Sequence, residues 1–208
     1  MKNNSYIGIS AILLIFGIWA VPKIVDRLSE PDLVVIGDKV VPEFRFTNQH
    51  GDTITNEDYK GKVWVAEFFF STCPDICPIM NRNMVTVQEA FFAYSNVAIA
   101  SFTIDPVYDT PEVLKEYAES YNITKPQWHL LTGAKDKIFN LANAGFNLYV
   151  GEIPDSKGGF EHSGYFALID QNGNIRSRRD KNGNPIIYYD GLEESNIKML
   201  IEDIKKLL

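Results

Sequence analysis

A continuous apolar run, "KVWVAEFFF" at Lys62–Phe70, constrains the fold more than any other stretch of the sequence. Its β-branched and aromatic residues follow one another without polar alternation, which is typical of a central strand buried on both faces. The stretch "VAIASFTID", Val97–Asp105, predicts a second strand of the same kind. Two such strands with a helical stretch between them indicate parallel strands at the centre of a sheet.

Helices and further strands are predicted around these two. Thr110 is placed to cap a helix, with Pro111 at its first position and Glu112 in its first turn. The other predicted elements are a hairpin at Pro42–Thr55, a strand at Trp128–Gly133, a helix ending near Gly145, a strand leading out of Ile169, and an amphipathic helix at Glu193–Leu208. This alternation predicts a three-layer α/β domain with a central mixed sheet.

The N-terminus carries a segment without charge, from Tyr6 to Val21. A bilayer-spanning helix needs about 20 apolar residues, and Ile24 and Val25 extend the run toward that length. We therefore predict one uncleaved transmembrane helix within residues 1–25, a linker over 26–40 and one soluble domain over 41–208. A cleaved signal peptide and a buried core helix are the alternatives, and no small-x-small cleavage site follows the run.

The charge balance limits the class of partner. The formal net charge is −7 at pH 7, whereas proteins that bind nucleic acid need a basic face for the phosphates. No nucleic-acid partner is expected.

The two cysteines of the chain, Cys73 and Cys77, stand in "STCPDICP" directly after the first buried strand. Because proline is tolerated only in the first turn of a helix, Pro78 predicts a helix that starts near Pro74 or Asp75 and continues to about Ala93. Cys73 then lies in the loop before the helix and Cys77 in its first turn. The positive end of the helix dipole favours the thiolate form of both.

This spacing leaves several kinds of cysteine chemistry open. Residues four apart on a helix have Cβ atoms about 5–6 Å apart, whereas a relaxed disulfide needs about 3.5–4.5 Å. The pair therefore suits two thiolates that hold one metal ion, and a disulfide forms if the loop flexes. Zinc and most iron–sulfur clusters need four ligands, so Cu(I) with a histidine as third ligand is the natural metal. A structural disulfide and two unrelated buried thiols remain as alternatives.

Three histidines are available as the third ligand. His50 lies in a turn and is expected in solvent, and His129 lies in a strand and is expected to be half-buried. His162 follows a glycine-rich loop and precedes a strand, where a loop can carry its ring to a metal. Met80 and Met84, at helical spacing, are expected in the core.

Four stretches together resemble the Sco (SenC) family of membrane-tethered copper proteins. They are "STCPDICP", "TIDPVYDTPEVLKEYA", "WHLLTG" and "EHSGYFALID", and the match covers about Val41 to Leu208. The resemblance implies a thioredoxin-like fold, an N-terminal membrane anchor, and copper bound as Cu(I) or Cu(II) by Cys73, Cys77 and His162. A departure is "RSRRDKNGNPIIYYDG", a longer connection than the family pattern leads one to expect.

The family resemblance also implies a function. Such a protein delivers copper to, or prepares the cysteines of, the binuclear copper site of cytochrome c oxidase, as a metallochaperone and not a turnover enzyme. Its partners would be the copper-bearing oxidase subunit, other copper chaperones and the lipid bilayer. Its place would be the bacterial cytoplasmic (inner) membrane, with the soluble domain facing the periplasm or cell exterior.

The same cysteines support a second function, a thiol–disulfide oxidoreductase in which Cys77 resolves a mixed disulfide at Cys73. A peroxiredoxin-like peroxidase is a weaker alternative, since Phe70 stands where that chemistry needs threonine. A purely structural module with an inert disulfide is the last alternative.

Overall fold

The computed structural model describes residue 10 and residues 14–21, 33–37, 40–152 and 159–208. Leu33–Leu208 forms one compact unit. Its helices are α1 (Cys77–Ala90), α2 (Pro111–Ser120), α3 (Lys135–Asn140) and α4 (Glu194–Leu207). A 3-10 helix covers Asn56–Tyr59, and a π-helical turn, Leu141–Gly145, continues α3.

Eleven strands are formed within the described part of this unit. They are β1 (Val34–Val35), β2 (Arg45–Asn48), β3 (Thr53–Thr55), β4 (Val63–Phe69), β5 (Val97–Thr103), β6 (Trp128–Thr132), β7 (Val150–Glu152), β8 (Phe160–His162), β9 (Tyr165–Ile169), β10 (Ile175–Ser177) and β11 (Tyr189–Asp190). The main sheet has the order β1-β10-β9-β4-β5-β6-β2-β3, with β11 paired to β9, and β7 and β8 form a separate two-stranded sheet.

The centre of the main sheet consists of the two strands that the sequence predicted. β4 pairs in parallel with β5, which pairs in parallel with β6. On its other side β4 pairs antiparallel with β9. Every residue of β4 and β5 is buried. The prediction of a mixed sheet with parallel central strands is confirmed.

Helical segments contact both faces of β4, as a three-layer fold requires. Side chains alternate between the two faces of a strand. Phe69 lies with its ring centroid 5.4 Å from that of Tyr117 on α2. On the opposite face, the ring of Phe68 lies 5.6 Å from that of Phe146, the residue directly after the π-helical turn.

The predicted start is confirmed for α2 and is wrong for α1. Thr110 caps α2 by accepting a hydrogen bond from the Val113 N–H, and Pro111 is its first residue. Helix α1 begins at Cys77, with Ile76 as its N-cap, and not near Pro74 or Asp75. The backbone N–H groups of Asp75 and Cys77 donate to the Cys73 sulfur, which holds the preceding residues in a loop.

The end of α1 also differs from the prediction. It stops at Ala90 and not at Ala93. The ammonium group of Lys125 donates to the carbonyl oxygens of Phe91 and Tyr94 at 2.8 Å each. These carbonyls therefore have a partner outside the helix, and the chain turns away there.

The segment before the domain is described in part. Residues 14–21 are helical, and the rest of the predicted anchor, apart from residue 10, lies outside the described residues. In the part of the chain that the structure describes, no helix has the length and apolar character needed to cross a bilayer. The transmembrane helix stays a prediction. Strand β1 lies within the stretch predicted as a linker, and pairs with β10.

Candidate metal centre

Cys73 ends a tight turn at the end of the central strand. The Cys73 N–H donates to the Phe70 carbonyl at 3.2 Å, which closes a turn over Ser71 and Thr72. The side chain of Cys73 is 9% exposed. The turn places its sulfur at the carboxyl end of β4, where α/β sheets commonly bind ligands.

A buried carboxylate on the loop after β5 fixes this turn. Asp109, which has no exposed surface, accepts hydrogen bonds from the Ser71 N–H at 3.1 Å and from the hydroxyls of Ser71 and Thr103. The Thr103 hydroxyl also accepts from the Asp105 N–H at 3.1 Å. Burial raises the Asp109 pKa, and the Ser71 and Thr103 hydrogen bonds oppose that rise. The turn before Cys73 is thus attached to the loop that follows β5.

Cys77 is the first residue of α1 and is 1% exposed. Asn81, one turn later, donates to the Cys77 carbonyl at 2.9 Å and to the Tyr117 hydroxyl at 2.8 Å. These two bonds attach the first turn of α1 to α2. The sulfur of Cys77 is therefore held on a rigid element, while that of Cys73 lies on a turn.

His162 reaches the cysteines from the β7–β8 hairpin, where it pairs with Val150. Its ring is edge-on to Phe70, with centroids 5.8 Å apart, and the residue is 7% exposed. Its Nδ1 lies 3.1 Å from the Ser163 carbonyl oxygen. Since a carbonyl oxygen only accepts, Nδ1 carries a proton in this contact, and Nε2 is the ring nitrogen that faces the cysteines.

The three side chains predicted as ligands come together. His162 Nε2 lies 3.1 Å from the Cys77 sulfur, and one donor atom from each of Cys73, Cys77 and His162 lies within 4.8 Å of the other two. Among the described residues this is the one group of three or more histidine, cysteine or acidic side chains with a geometry that could hold a metal ion. Neither cysteine forms a disulfide.

The pKa values of the two thiols are shifted in opposite directions because the thiols share a hydrogen bond. The bond from Cys77 lowers the pKa of Cys73 strongly, and His162 and backbone N–H groups lower it further against the effect of burial. The bond to Cys73, together with burial, raises the pKa of Cys77 far above its ordinary value. At neutral pH the metal-free pair therefore holds one proton, on Cys77, with Cys73 as the thiolate.

A second buried carboxyl group lies below the cysteines in β4. Glu67 has no exposed surface and accepts from the Ser101 hydroxyl at 2.6 Å. Its other oxygen has no hydrogen-bond partner. Burial raises its pKa to about 7, against the Ser101 bond that lowers it. Its negative charge adds to the rise in the Cys77 pKa.

The burial of the remaining candidate residues agrees with the predictions. His50 is exposed, and His129 is half-buried on β6, 3.5 Å from the Asn48 amide. Met80 and Met84 are fully buried in the hydrophobic core. The glycine-rich loop before His162 falls partly outside the described residues, since residues 153–158 are not among them.

Two residues with a role at the site were not identified from the sequence. Glu67 is a lone acid within an apolar strand, and Asp109 stands in "DPVYDTP". An acid in an apolar strand and an acid in a turn motif can be noticed in the sequence. The sequence does not show which atoms these two side chains contact. Only the pairing of β4 with β5 brings Ser71 and Ser101 to these carboxyl groups.

Comparisons with known proteins give one consistent result. The family model SCO1/SenC matches residues 36–196. The SCO1 protein homolog of Bacillus subtilis (strain 168) is 32% identical over 167 residues, 79% of this chain and 81% of that protein.

Solved structures agree with the sequence matches. One is BsSco, reported with a disulfide switch as a member of the Sco family of cytochrome c oxidase assembly proteins. It is 29% identical, with a TM-score of 0.69 over 86% of this chain and 96% of its own. Yeast Sco1 with copper bound is 25% identical, with a TM-score of 0.62 over 82% of this chain and 91% of its own.

Proposed function

Because the chain belongs to the SCO1/SenC family, we propose that it binds copper through Cys73, Cys77 and His162 and passes it on, without acting as a turnover enzyme. The observation that carries the proposal is the convergence of three soft or borderline donor atoms within 4.8 Å of one another. Copper is the cargo of this site.

The donor set fits copper better than zinc. Metal–sulfur and metal–imidazole bonds of about 2.0–2.3 Å place two ligands of one ion at most about 4.6 Å apart, so the observed spacing needs only a small adjustment. A structural zinc site needs four protein ligands, and the group formed by the described residues has three. Two thiolates select Cu(I), and the imidazole of His162 makes Cu(II) tolerable.

The site is placed for transfer by ligand exchange. Cys73 and His162 have 9% and 7% of their surface exposed to solvent. This exposed surface would give a partner thiol a route to the ion. As a partner thiolate binds Cu(I), one cysteine of this chain leaves and takes up the proton that the partner thiol released. The oxidation state of copper does not change.

The partner we propose is the copper-bearing subunit of cytochrome c oxidase, loaded at its binuclear site, with another copper chaperone as donor. The support is that BsSco is reported as a member of a family of cytochrome c oxidase assembly proteins. Residues 1–25 would anchor the chain in the bacterial cytoplasmic membrane, and the stretch between residue 25 and β1 would link the anchor to an outward-facing domain. Such tethering keeps donor and acceptor in one plane and raises their effective concentration.

A second function, reduction of a partner's disulfide, is favoured by the acidity of Cys73. A thiolate at neutral pH is the nucleophile of disulfide exchange. The Cys73 sulfur would attack the partner disulfide and release one partner thiolate, and Cys77 would then attack the Cys73 sulfur and release the other. Two electrons and the Cys77 proton pass to the partner, solvent supplies the second proton, and this chain keeps a Cys73–Cys77 disulfide.

Copper binding is tested on the reduced full-length chain in detergent, loaded anaerobically with Cu(I) against a competing chelator. We expect one copper per chain, loss of binding in Cys73→Ala and Cys77→Ala, and weaker binding in His162→Ala. His129→Ala is the matched control and should bind like the wild type. If the wild-type chain holds no copper against the chelator, the chaperone function is refuted.

The same variants separate the two functions. Disulfide exchange does not need the imidazole, so His162→Ala should still reduce a model disulfide while its copper affinity falls. Loss of both activities together in His162→Ala would contradict the assignment of His162 as a ligand alone.

A further inference from the structure

Exposed apolar side chains lie on four segments that adjoin the cysteine–histidine centre along the chain or through hydrogen bonds. We call them the apolar rim: Ile79 (40% exposed), Val107 (82%), Tyr108 (54%), Tyr149 (57%) and Tyr165 (44%). Large apolar side chains that stand in solvent close together mark interaction surfaces.

Covalent or hydrogen-bonded links attach each segment to the centre. Ile79 lies two residues after Cys77, in the first turn of α1. Tyr165 lies three residues after His162. The Tyr149 carbonyl accepts from the Ser163 N–H at 3.3 Å, beside the hairpin that carries His162.

The loop with Val107 and Tyr108 is attached through Asp109. This carboxylate binds the turn before Cys73 by the Ser71 N–H, 3.1 Å away, and by the Ser71 hydroxyl. The Asp109 N–H in turn donates to the Asp105 carbonyl at 2.9 Å, which closes the loop. The two apolar side chains are therefore presented next to Cys73 on a fixed loop.

The segments that carry most of the rim are acidic, and Lys135, 5.0 Å from the Phe160 ring, already forms an ion pair with Glu152. The segments 70–79, 103–110 and 159–166 contain acidic residues and neither lysine nor arginine. Asp75 and Glu161 are exposed and Asp105 is half-exposed. Within the described ranges none of these three forms an ion pair with another residue.

We propose that the apolar rim is a docking surface for a protein that presents a reduced cysteine pair within an apolar surface bearing lysine or arginine. The inference rests on the function proposed above, because a partner must bring its sulfur atoms to Cys73 and Cys77. Apolar contacts supply the affinity, and the carboxylates favour a basic partner over an acidic one.

The test replaces the loop side chains and keeps the metal ligands. The variant is Val107→Ser with Tyr108→Ser. The control is Val35→Ser with Tyr94→Ser, which removes the same residue types at 49% and 48% exposure. Val35 lies on β1 at the edge of the sheet. Tyr94 lies beyond the far end of α1, a helix about 20 Å long.

The probe is the soluble copper-site domain of the oxidase subunit, with its cysteines reduced and metal-free. We expect the metal-free full-length loop variant to bind it about tenfold more weakly than wild type, a loss of about 1.4 kcal/mol, and the control to bind like wild type. Added salt should weaken wild-type binding. Removal of Cu(I) by a small chelator should be equal in all three proteins.

Three outcomes would overturn the proposal. The first is a loop variant that binds the probe as tightly as the control. The second is equal weakening in both, which would show a general loss of stability. The third is a wild-type dimer that dissociates in the loop variant, which would assign the surface to a second copy of this chain. Since binding is measured without metal, a failure to hold copper refutes the proposed function separately.

Discussion

Glu67 is a carboxyl group in the core of the sheet, and its replacement by glutamine tests how its charge affects folding. Burial raises its pKa from 4.5 to about 7. The charged form is therefore disfavoured in the folded state relative to the unfolded state. The wild-type domain should be most stable below about pH 4.5 with respect to this group, and should lose stability as pH rises toward 7.

The size of the effect follows from the interval between the two pKa values. Each pKa unit corresponds to about 1.4 kcal/mol, so the ionised Glu67 destabilises the fold by about 3 kcal/mol above pH 7. Glutamine removes this charge and keeps an oxygen that can accept the bond from the Ser101 hydroxyl. Glu67→Gln should therefore exceed the wild type in free energy of unfolding by about 3 kcal/mol at pH 8, and by about 1 kcal/mol at pH 5.

The measurement is urea unfolding of the reduced, metal-free unit Leu33–Leu208 at several pH values between 5 and 8. The difference between variant and wild type is the quantity to compare, because it cancels the titration of other groups. Glu116→Gln, at an exposed position on α2, is the control and should change the free energy of unfolding by less than about 0.5 kcal/mol. A difference that does not grow with pH, or a Glu67→Gln variant less stable than wild type at pH 8, would refute the reasoning.

Two further predictions concern the cysteines and the C-terminal helix. In the metal-free protein Cys73 should be alkylated by iodoacetamide at pH 6, where an ordinary thiol is protonated. Its reactivity midpoint should rise in Cys77→Ala because the hydrogen bond that stabilises the thiolate is lost. Mass spectrometry across pH measures this, and a wild-type midpoint near the ordinary thiol value would contradict it. Asp203→Ala should lower the free energy of unfolding by about 2–3 kcal/mol, since the partly buried Arg178 loses the carboxylate that accepts its Nε–H at 2.6 Å and keeps only the exposed Glu202 as a charged partner. Tyr189→Phe, which removes only the 2.7 Å bond from the Tyr189 hydroxyl to Asp203, should lose about 1 kcal/mol in the same urea titration; equal losses would contradict this difference.

Much of the fold could be predicted because its signals are local. The apolar run at Lys62–Phe70 and the cap at Thr110 depend on neighbouring residues alone, and both predictions are confirmed by β4 and α2. The start of α1 could not be placed as well, because it depends on the Cys73 sulfur accepting backbone N–H groups. Strand β1 has only two residues and needs β10 as a partner, so its own sequence carries little signal.

The metal centre, like the fold, could be predicted from the sequence only in part. The spacing of Cys73 and Cys77 placed both at the start of a helix, and the structure brings His162 to them. The sharing of one proton between the thiols could not be predicted, because it depends on the distance between two sulfurs. The role of Asp109 could not be predicted either, because its partner Ser71 lies on a turn 38 residues earlier.

The hairpin that carries His162 has a consequence for how the ligand set comes apart. β7 and β8 share three residue pairs and belong to a sheet of two strands, separate from the main one. Hydrogen bonds between the Asn143 side chain and the Val150 backbone and a ring contact between Phe160 and Phe70 attach it to the domain. A two-stranded sheet with so few bonds opens at lower free energy than the central strands. In the proposed copper complex the imidazole would therefore withdraw while both sulfurs stay on the β4–α1 unit, without unfolding of the domain. The ion would then lose its nitrogen ligand first and its sulfur ligands last.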